Sequence, residues 1–232
     1  MNTPTPDEAN RRPLAVRELK LTKRIAIWLS QKNVTPNQIS LLSILFALAG
    51  FVSLLLYHFY PAASLLLLAA ASIQLRLLCN LFDGMVAVEG GKKTPAGELF
   101  NDVPDRIADP LFIVGAGFAT QSLVGMDLAW VCAILAVLTA YVRVLGVSMN
   151  GPADFCGPMA KQHRMALLTA SLLILCVYQW LQLPLHFLGY TLDCALALML
   201  CGLVITTWRR LEHIYHYHQA QFAQQQETQR DV

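Results

Sequence analysis

The sequence predicts an all-α, polytopic membrane protein with six transmembrane helices. Of its 232 residues, 56% are hydrophobic and only 14% are charged. Several apolar runs reach the length of about 20 residues that a helix needs to cross a bilayer core. These runs are too long and too uniformly apolar for barrel strands, whereas a helix satisfies its own backbone hydrogen bonds in lipid.

The first region, residues 1–33, is expected to hold a disordered start and an interfacial helix. Residues 1–10 are polar and contain two prolines. Residues 13–32 alternate basic and apolar groups, with Leu14, Leu21, Ile25 and Trp28 at helical spacing. This pattern favours an amphipathic helix in the membrane interface, although a plain basic juxtamembrane tail would also fit. The first apolar run starts only near Ser40, too late for an ordinary cleaved signal peptide.

The second region, residues 34–210, carries the predicted spans. Thr35-Pro36-Asn37-Gln38 has the composition of a capping box, with a proline suited to the first helical turn. The predicted spans cover residues 38–58, 61–88, 95–120, 128–148, 164–183 and 190–208. A polar tail rich in Gln and His follows over residues 211–232.

The distribution of Lys and Arg predicts the orientation. Seven of the seventeen basic residues precede residue 33, whereas the loops near 57–62, 121–127 and 184–190 have none. The positive-inside rule then predicts a multi-pass protein of the inner (cytoplasmic) membrane with both termini in the cytoplasm. Arg76, Arg106 and Arg143 fall inside spans, where a charge is costly, so each is a candidate functional residue.

The cysteines and the tail histidines give a weaker signal. The six cysteines form no C-x-x-C, which favours small buried thiols over a disulfide framework or a zinc site. His213, His216 and His218 could suggest a metal site. No acid or cysteine in the sequence pattern completes a ligand set for them, so we expect a solvated tail near anionic lipid.

Polar residues cluster at the cytoplasmic ends of spans 2 and 3. On span 2, spacings of four, three and four residues place on one helix face Arg76, Asn80, Asp83 and Ala87. On span 3, four-residue steps place together Gly97, Asn101, Asp105 and Asp109. Carboxylate and amide oxygens suit hard divalent cations, and Gly84 and Gly97 leave room for a ligand. A purely structural polar cluster is the alternative, but so many acids and amides on two facing helices favour a binding site.

The same stretch resembles a known family signature. Asn80-Leu-Phe-Asp83-Gly84-Met-Val-Ala87-Val88 is followed by eight residues, then Gly97, Asn101 and Asp105 at four-residue steps. It is similar to the CDP-alcohol phosphotransferase motif D-x-x-D-G-x-x-A-R, eight residues, G-x-x-x-D-x-x-x-D. Every spacing is kept, and with the six-span layout the likeness covers roughly residues 30–210. Two aspartate positions are asparagines here, and the arginine position is Val88.

The resemblance implies a fold, a reaction and site residues. It implies transfer of a phosphatidyl group from CDP-diacylglycerol to a small alcohol with release of CMP, in a homodimer embedded in membrane lipid. It implies divalent cations, Mg²⁺ or Mn²⁺, at the four motif positions Asn80, Asp83, Asn101 and Asp105. It implies nucleotide contacts at Asn80, Asp83, Gly84, Ala87 and Gly97. Asp105 would deprotonate the acceptor hydroxyl, and no nucleic-acid partner is expected.

The departures from the motif leave alternatives open. Asparagine is neutral, so the metal site is expected to be weak until a diphosphate supplies further oxygens. A catalytically silent relative that binds nucleotide or lipid as a regulator is therefore the second hypothesis. A transporter is a more distant one, because the polar groups lie at one face rather than at the midplane.

Four further basic residues and one acid complete the predicted site. Arg143, Lys161 and Arg164 could bind an anionic acceptor, although Lys161 and Arg164 also fit ordinary positive-inside residues. Arg76 and Asp109 each lie one turn deeper than the motif and are predicted to form a supporting ion pair. The alternative is that Arg76 faces the cleft and grips a phosphate.

Overall fold

The computed structural model describes residues 20–32, 34–89, 91–92, 96–183 and 186–230, and these contain helices and no strand. The helices are α1 (Lys20–Gln31), α2 (Pro36–Phe59), α3 (Ala63–Glu89), α4 (Gly97–Phe118), α5 (Gly125–Ser148), α6 (Lys161–Trp180), a 3₁₀ turn (His186–Tyr190) and α7 (Thr191–Arg230). The predicted all-α class is thus confirmed. The predicted disordered start, residues 1–10, lies outside the described residues, as do residues 13–19 of the predicted interfacial helix.

Four of the described segments are long and apolar enough to cross a membrane: Pro36–Phe59, Ala63–Val88, Gly125–Ser148 and His186–Gln229. Helices α4 and α6 also lie at predicted spans, but charged residues in their first halves make them less apolar. α4 continues through Pro104 and Pro110. The count of six spans therefore stays a prediction.

The start of α2 is built as the sequence predicts. Gln38 N donates to Thr35 Oγ1 at 3.3 Å, and Thr35 N donates to Gln38 Oε1 at 3.0 Å. Pro36 occupies the first turn, where its missing N–H costs nothing. This capping box fixes where α2 begins, one turn before Ser40.

Small residues let α2, α3 and α4 approach closely. A side chain at Gly50 of α2 would collide with the Phe112 ring of α4 and lie 3.2 Å from Ser72 Cβ of α3. Phe112 and Ala47 are fully buried beside it. The hydrophobic effect does not drive helices together in lipid, so close packing at such small residues stabilises their association instead. The remaining helices complete the bundle, with α5 between α4 and α7, and α6 against α3 and α7.

Helix α1 packs on α3 through the buried Ala26. Lys92 Nζ donates to Ser30 O, in the last turn of α1, at 2.7 Å and to Val34 O, just after α1, at 3.3 Å. The lysine thus places positive charge at the C-terminal end of α1, where the helix dipole favours it. Leu21 and Trp28 are exposed by 68% and 56%. Two of the residues assigned to the apolar face are thus uncovered by protein, and an interfacial position for α1 stays a prediction.

Helix α7 runs without a break for 40 residues. The predicted last span ends at residue 208, whereas the helix continues through the polar tail to Arg230. From Leu203 to Arg230 the sequence contains neither Gly nor Pro, and it is rich in Gln, which favours helix.

Candidate functional site

The two predicted polar faces meet at one end of the bundle. Asn80 Nδ2 on α3 donates to Asp105 Oδ1 on α4 at 2.6 Å. The four-residue steps along each helix place the motif residues on the sides that face each other. The first half of α4 and the second half of α3 therefore form one site, as the sequence predicts.

Asp105 accepts from three side chains on two helices, α3 and α6. Besides Asn80, Arg76 Nη2 donates to Oδ1 at 2.7 Å, and Lys161 Nζ at the start of α6 donates to Oδ2. The Asp105 side chain is 11% exposed. Both of its carboxylate oxygens are thus held by cations or amide donors, which fixes the position of the group that the resemblance marks as the base.

A second acid lies one turn further along α4. Arg76 Nη2 lies 2.9 Å from Asp109 Oδ1, and Arg164 Nη2 donates to Asp109 Oδ2 at 2.7 Å. The predicted Arg76–Asp109 ion pair is present. Arg76 is fully buried, and its Nε and Nη1 have no hydrogen-bond partner among the described residues. Charges of alternating sign thus run from Lys161 through Asp105, Arg76 and Asp109 to Arg164.

Asp83 stands apart from this chain of charges. Ser40 Oγ of α2 donates to Asp83 Oδ2 at 2.7 Å, and the Gly84 N–H donates to Oδ1 at 2.5 Å. Ser40 is a residue that the sequence reasoning missed. Its only sequence signal is its place one turn into α2, because nothing local reveals that this turn faces α3.

The other motif positions line the outer part of the site. Asn101 is exposed, one helical turn before Asp105, while Ala87, Gly84 and Gly97 are half-buried. The most solvent-accessible ligand position of the motif is thus an amide rather than a carboxylate. This arrangement leaves its oxygen open to a substrate or cation arriving from outside.

The formal charge of the inner site is balanced. Three carboxylates and three cations take part among the described residues: Asp83, Asp105, Asp109, Arg76, Lys161 and Arg164. Four aspartates at the motif positions would add two negative charges, whereas Asn80 and Asn101 add none. The carboxylate and amide oxygens are chemically suited to a hard divalent cation. The Lys161 ammonium on Asp105 indicates that positive charge is favoured at this point. Because the charges of the inner site cancel, a divalent cation gains little net electrostatic attraction to it.

The three predicted acceptor-binding residues do not converge. Lys161 lies on Asp105, and the buried Arg164 is engaged by Asp109 and by Met159 O at 3.1 Å. Arg143 Nη2 donates to Asp102 Oδ1 at 3.2 Å, and its guanidinium lies 5.5 Å from the Phe155 ring centroid. These contacts describe Arg164 as a positioning residue, and acceptor binding by the three stays a prediction.

The expectation that no acid or cysteine completes a ligand set for the tail histidines is wrong for His213, because the loop before α6 supplies both. A solvated tail near anionic lipid stays a prediction. Ligand atoms of Asp154, Cys156 and His213 lie within 4.8 Å of one another. The sequence could not show this, since 59 residues separate Asp154 from His213.

Comparisons with known proteins agree with the architecture. The family model described as CDP-alcohol phosphatidyltransferase matches residues 33–208. The inner membrane protein YnbA of Escherichia coli K12 is 28% identical over 70% of this chain and 79% of its own length. The archaetidylinositol phosphate synthase of Aeropyrum pernix is 31% identical over 68% of this chain and 76% of its own length.

Solved structures of the Mycobacterium tuberculosis phosphatidylinositol phosphate synthase PgsA1 share the fold. The structure with manganese and citrate has a TM-score of 0.69 at 20% identity, covering 84% of this chain and 88% of that one. The structure with CDP-DAG bound has a TM-score of 0.69 at 20% identity, covering 85% and 94%. The similarity therefore extends over nearly the whole bundle.

Proposed function

This chain belongs to the CDP-alcohol phosphatidyltransferase family, and on that premise we propose that it transfers the phosphatidyl group of CDP-diacylglycerol to a small alcohol in phospholipid synthesis. The observation that supports this most is the contact of Asn80 on α3 with Asp105 on α4, which joins the two halves of the motif at one site. The donor's acyl chains would lie in the membrane, while its diphosphate and the acceptor enter the polar end of the bundle.

The reaction needs one proton acceptor and one leaving group. Asp105 takes the proton of the acceptor hydroxyl, whose oxygen then attacks the phosphorus that bears the diacylglycerol. The bond from that phosphorus to the oxygen of CMP breaks, and CMP leaves with the electron pair. Arg76 and Asn80 hold Asp105 Oδ1 in place, so Oδ2 is the oxygen that receives the proton.

Lys161 must leave Asp105 Oδ2 for this to happen. The ammonium donates a hydrogen bond to that oxygen. An arriving diphosphate offers Lys161 a stronger counter-charge, so the lysine turns to the substrate and uncovers the base. Phosphate binding and activation of Asp105 are thereby coupled through one flexible side chain.

The residues that would hold a divalent cation are Asp83 and Asp105, with Asn80 and Asn101 through their amide oxygens. Bound there, Mg²⁺ or Mn²⁺ would neutralise the diphosphate and favour departure of CMP. The mycobacterial relative PgsA1 binds manganese in its solved structure, which supports a divalent cation for this chain. The balanced charge of the inner site favours joint binding of cation and nucleotide over binding of the cation alone.

We propose a phosphorylated polyol as the acceptor. Both named synthases among the relatives make inositol phosphate lipids. Arg143 is half-buried, and among the described residues its one acidic partner is Asp102, which Arg106 also contacts at 3.0 Å. A phosphate would displace Asp102 from Arg143 and gain a bidentate partner.

The membrane arrangement belongs to the same proposal. Six spans, both termini in the cytoplasm of an inner membrane, an interfacial α1 and a homodimer are the arrangement that fits the charge distribution and the family. Residues 34–210 are the catalytic domain. Residues 211–232 are a cytoplasmic extension.

CMP release tests the function. Full-length protein in detergent is given labelled CDP-diacylglycerol, a panel of phosphorylated and free polyols, and Mg²⁺ or Mn²⁺. CMP release that needs cation and acceptor and is lost in Asp105→Ala supports the enzyme; Asp127→Ala, an acid in the first turn of α5, is the matched control.

A catalytically silent relative is the second candidate. The neutral Asn80 and Asn101 favour it, because they weaken a cation site. Retained nucleotide binding with no CMP release from any acceptor would establish it and refute phosphatidyl transfer.

A further inference from the structure

We propose that Asp154, Cys156 and His213 form a binding site for a zinc-class transition-metal ion, separate from the phosphatidyl-transfer site. Asp154 and Cys156 belong to the loop of residues 149–160 between α5 and α6, and His213 belongs to α7. The three side chains offer one carboxylate oxygen, one thiol sulfur and one imidazole nitrogen. This mixed set is typical of zinc and its chemical neighbours rather than of magnesium or calcium.

The ligand atoms have the spacing that such an ion requires. His213 Nδ1 and Cys156 Sγ each lie 3.1 Å from Asp154 Oδ2. Bonds of about 2.0–2.3 Å to a tetrahedral zinc place ligand atoms about 3.3–3.6 Å apart, so a small outward rotation of each side chain accommodates the ion.

The loop is already held against α7 around these ligands. Arg210 Nε donates to Cys156 O at 3.1 Å, and its Nη1 donates to Thr139 O of α5 at 2.8 Å. Met159 N donates to Thr206 Oγ1 at 3.0 Å. Cys156 N also donates to Asp154 Oδ1 at 2.7 Å, which leaves Oδ2 directed at the other two ligands. The ligands are thus positioned by backbone contacts that do not depend on the ion.

A cavity gives the ion an open side. Asp154 and His213 line a cavity of about 270 Å³ together with Tyr217 and His218. Nε2 of His218 is buried and has no hydrogen-bond partner among the described residues. Three protein ligands leave a fourth position for a water molecule, and the cavity provides room and a polar neighbour for it.

Binding of such an ion would require Cys156 to lose its thiol proton. Burial, and then the neighbouring Asp154, raise the pKa of Cys156 to about 11. The free thiol is therefore protonated, and a bound metal ion must displace its proton. The bound ion would tie the loop that leads into Lys161 to the long helix α7.

Cobalt spectroscopy tests the site. Full-length protein in detergent is stripped with a chelator under a non-thiol reductant and titrated with Co²⁺ in excess Mg²⁺, which occupies the hard-oxygen site. We expect a thiolate-to-cobalt charge-transfer band that saturates at one ion per chain and is displaced by Zn²⁺. Cys156→Ser should abolish the band. His213→Gln and Asp154→Asn should weaken binding at least about tenfold, since loss of even an outer-shell partner costs about 10–100-fold.

Matched controls and a second measurement make the outcome decisive. Cys201→Ser and His216→Gln alter an exposed thiol and an exposed imidazole on the same helix and should leave the band unchanged. In the unaltered protein, Zn²⁺ should slow alkylation of Cys156, read by peptide mass spectrometry, and not that of the exposed Cys194 and Cys201. Absence of the band in the unaltered protein, its persistence in Cys156→Ser, or alkylation of Cys156 that ignores Zn²⁺ would each overturn the proposal. Because the phosphatidyl-transfer assay uses neither Co²⁺ nor these residues, failure here leaves the proposed function standing.

Discussion

Lys161 and Asp105 form an ion pair between the first residue of α6 and the middle of α4, although 56 residues separate them in the sequence. The lysine thereby occupies a carboxylate oxygen that a divalent cation would otherwise use. Lys161 and a metal ion would therefore compete for Asp105.

Lys161→Gln should therefore tighten Mn²⁺ binding in the absence of nucleotide, because it removes the competing ammonium. It should also raise the KM for CDP-diacylglycerol, since the diphosphate loses a partner. Calorimetry and initial rates measure the two effects. Arg143→Gln removes a cation paired with Asp102 instead and should leave Mn²⁺ affinity unchanged. Weaker Mn²⁺ binding in Lys161→Gln would contradict the competition.

Restoring the two motif aspartates should also tighten metal binding. Asn80→Asp with Asn101→Asp adds two negative charges beside Asp83 and Asp105, and each favours a divalent cation. Calorimetry without nucleotide measures the change, and Asn150→Asp, in the exposed start of the loop after α5, controls for added charge alone. Unchanged or weaker binding in the double variant would show that the asparagines are not metal ligands.

Loss of Asp109 should destabilise the bundle strongly. Asp109→Asn leaves the buried guanidinium groups of Arg76 and Arg164 without their shared counter-charge, and breaking a buried pair costs about 3–5 kcal/mol. Arg106→Gln breaks the partly exposed pair with Asp102 and should cost under about 1 kcal/mol. Thermal unfolding in detergent compares them, and equal stabilities would show that the buried charges contribute nothing.

Ser40 should matter to activity more than to folding. Its hydroxyl donates to Asp83 Oδ2, so Ser40→Ala frees that carboxylate to rotate. A loss of about 10–100-fold in activity or cation affinity is expected from removal of such a partner. Ser43→Ala, whose hydroxyl bonds only Ser40 O, is the matched control and should keep near-normal rates. Equal rates in the two variants would remove Ser40 from the site.

Gly157 should tolerate no side chain. Its φ is +109°, and a Cβ there would lie 2.5 Å from Thr206 Cγ2 on α7. Gly91 also has positive φ, +62°, but no atom of the described residues lies within 4 Å of its Cβ position. Gly91→Ala should cost about 1–2 kcal/mol from backbone strain alone, and Gly157→Ala distinctly more. Unfolding midpoints measured in parallel decide this, and a Gly157→Ala protein as stable as Gly91→Ala would mean that the loop can move away from α7.

The parts of the site that lie on one helix were predictable from the sequence, and the parts that join distant helices were not. Four-residue spacing places Asn80 with Arg76 and Asp105 with Asp109, and antiparallel pairing of two adjacent helices then predicts the Arg76–Asp109 contact. No such local rule reaches from Lys161 to Asp105 or from His213 to Asp154, because those contacts depend on how non-neighbouring helices pack. The apolar run likewise predicted that the last span ends at residue 208. Apolar residues indicate which part of a helix can lie in the membrane, and they do not indicate where the helix itself ends.

Because α7 is one unbroken helix, a small rotation near its middle moves its C-terminal end over a larger distance. Forty residues at about 1.5 Å each give a rod of about 60 Å, roughly twice the thickness of a hydrocarbon core. Side chains from Gln219 to Gln229 are all exposed. Among the described residues, the outer part of α7 is therefore packed against the rest of the protein only where it begins, near His213. A tilt of about 10° there would swing the tip, roughly 26 Å away, by about 4.5 Å. A fluorophore at the tip would therefore magnify any change in the angle between α7 and the loop it touches.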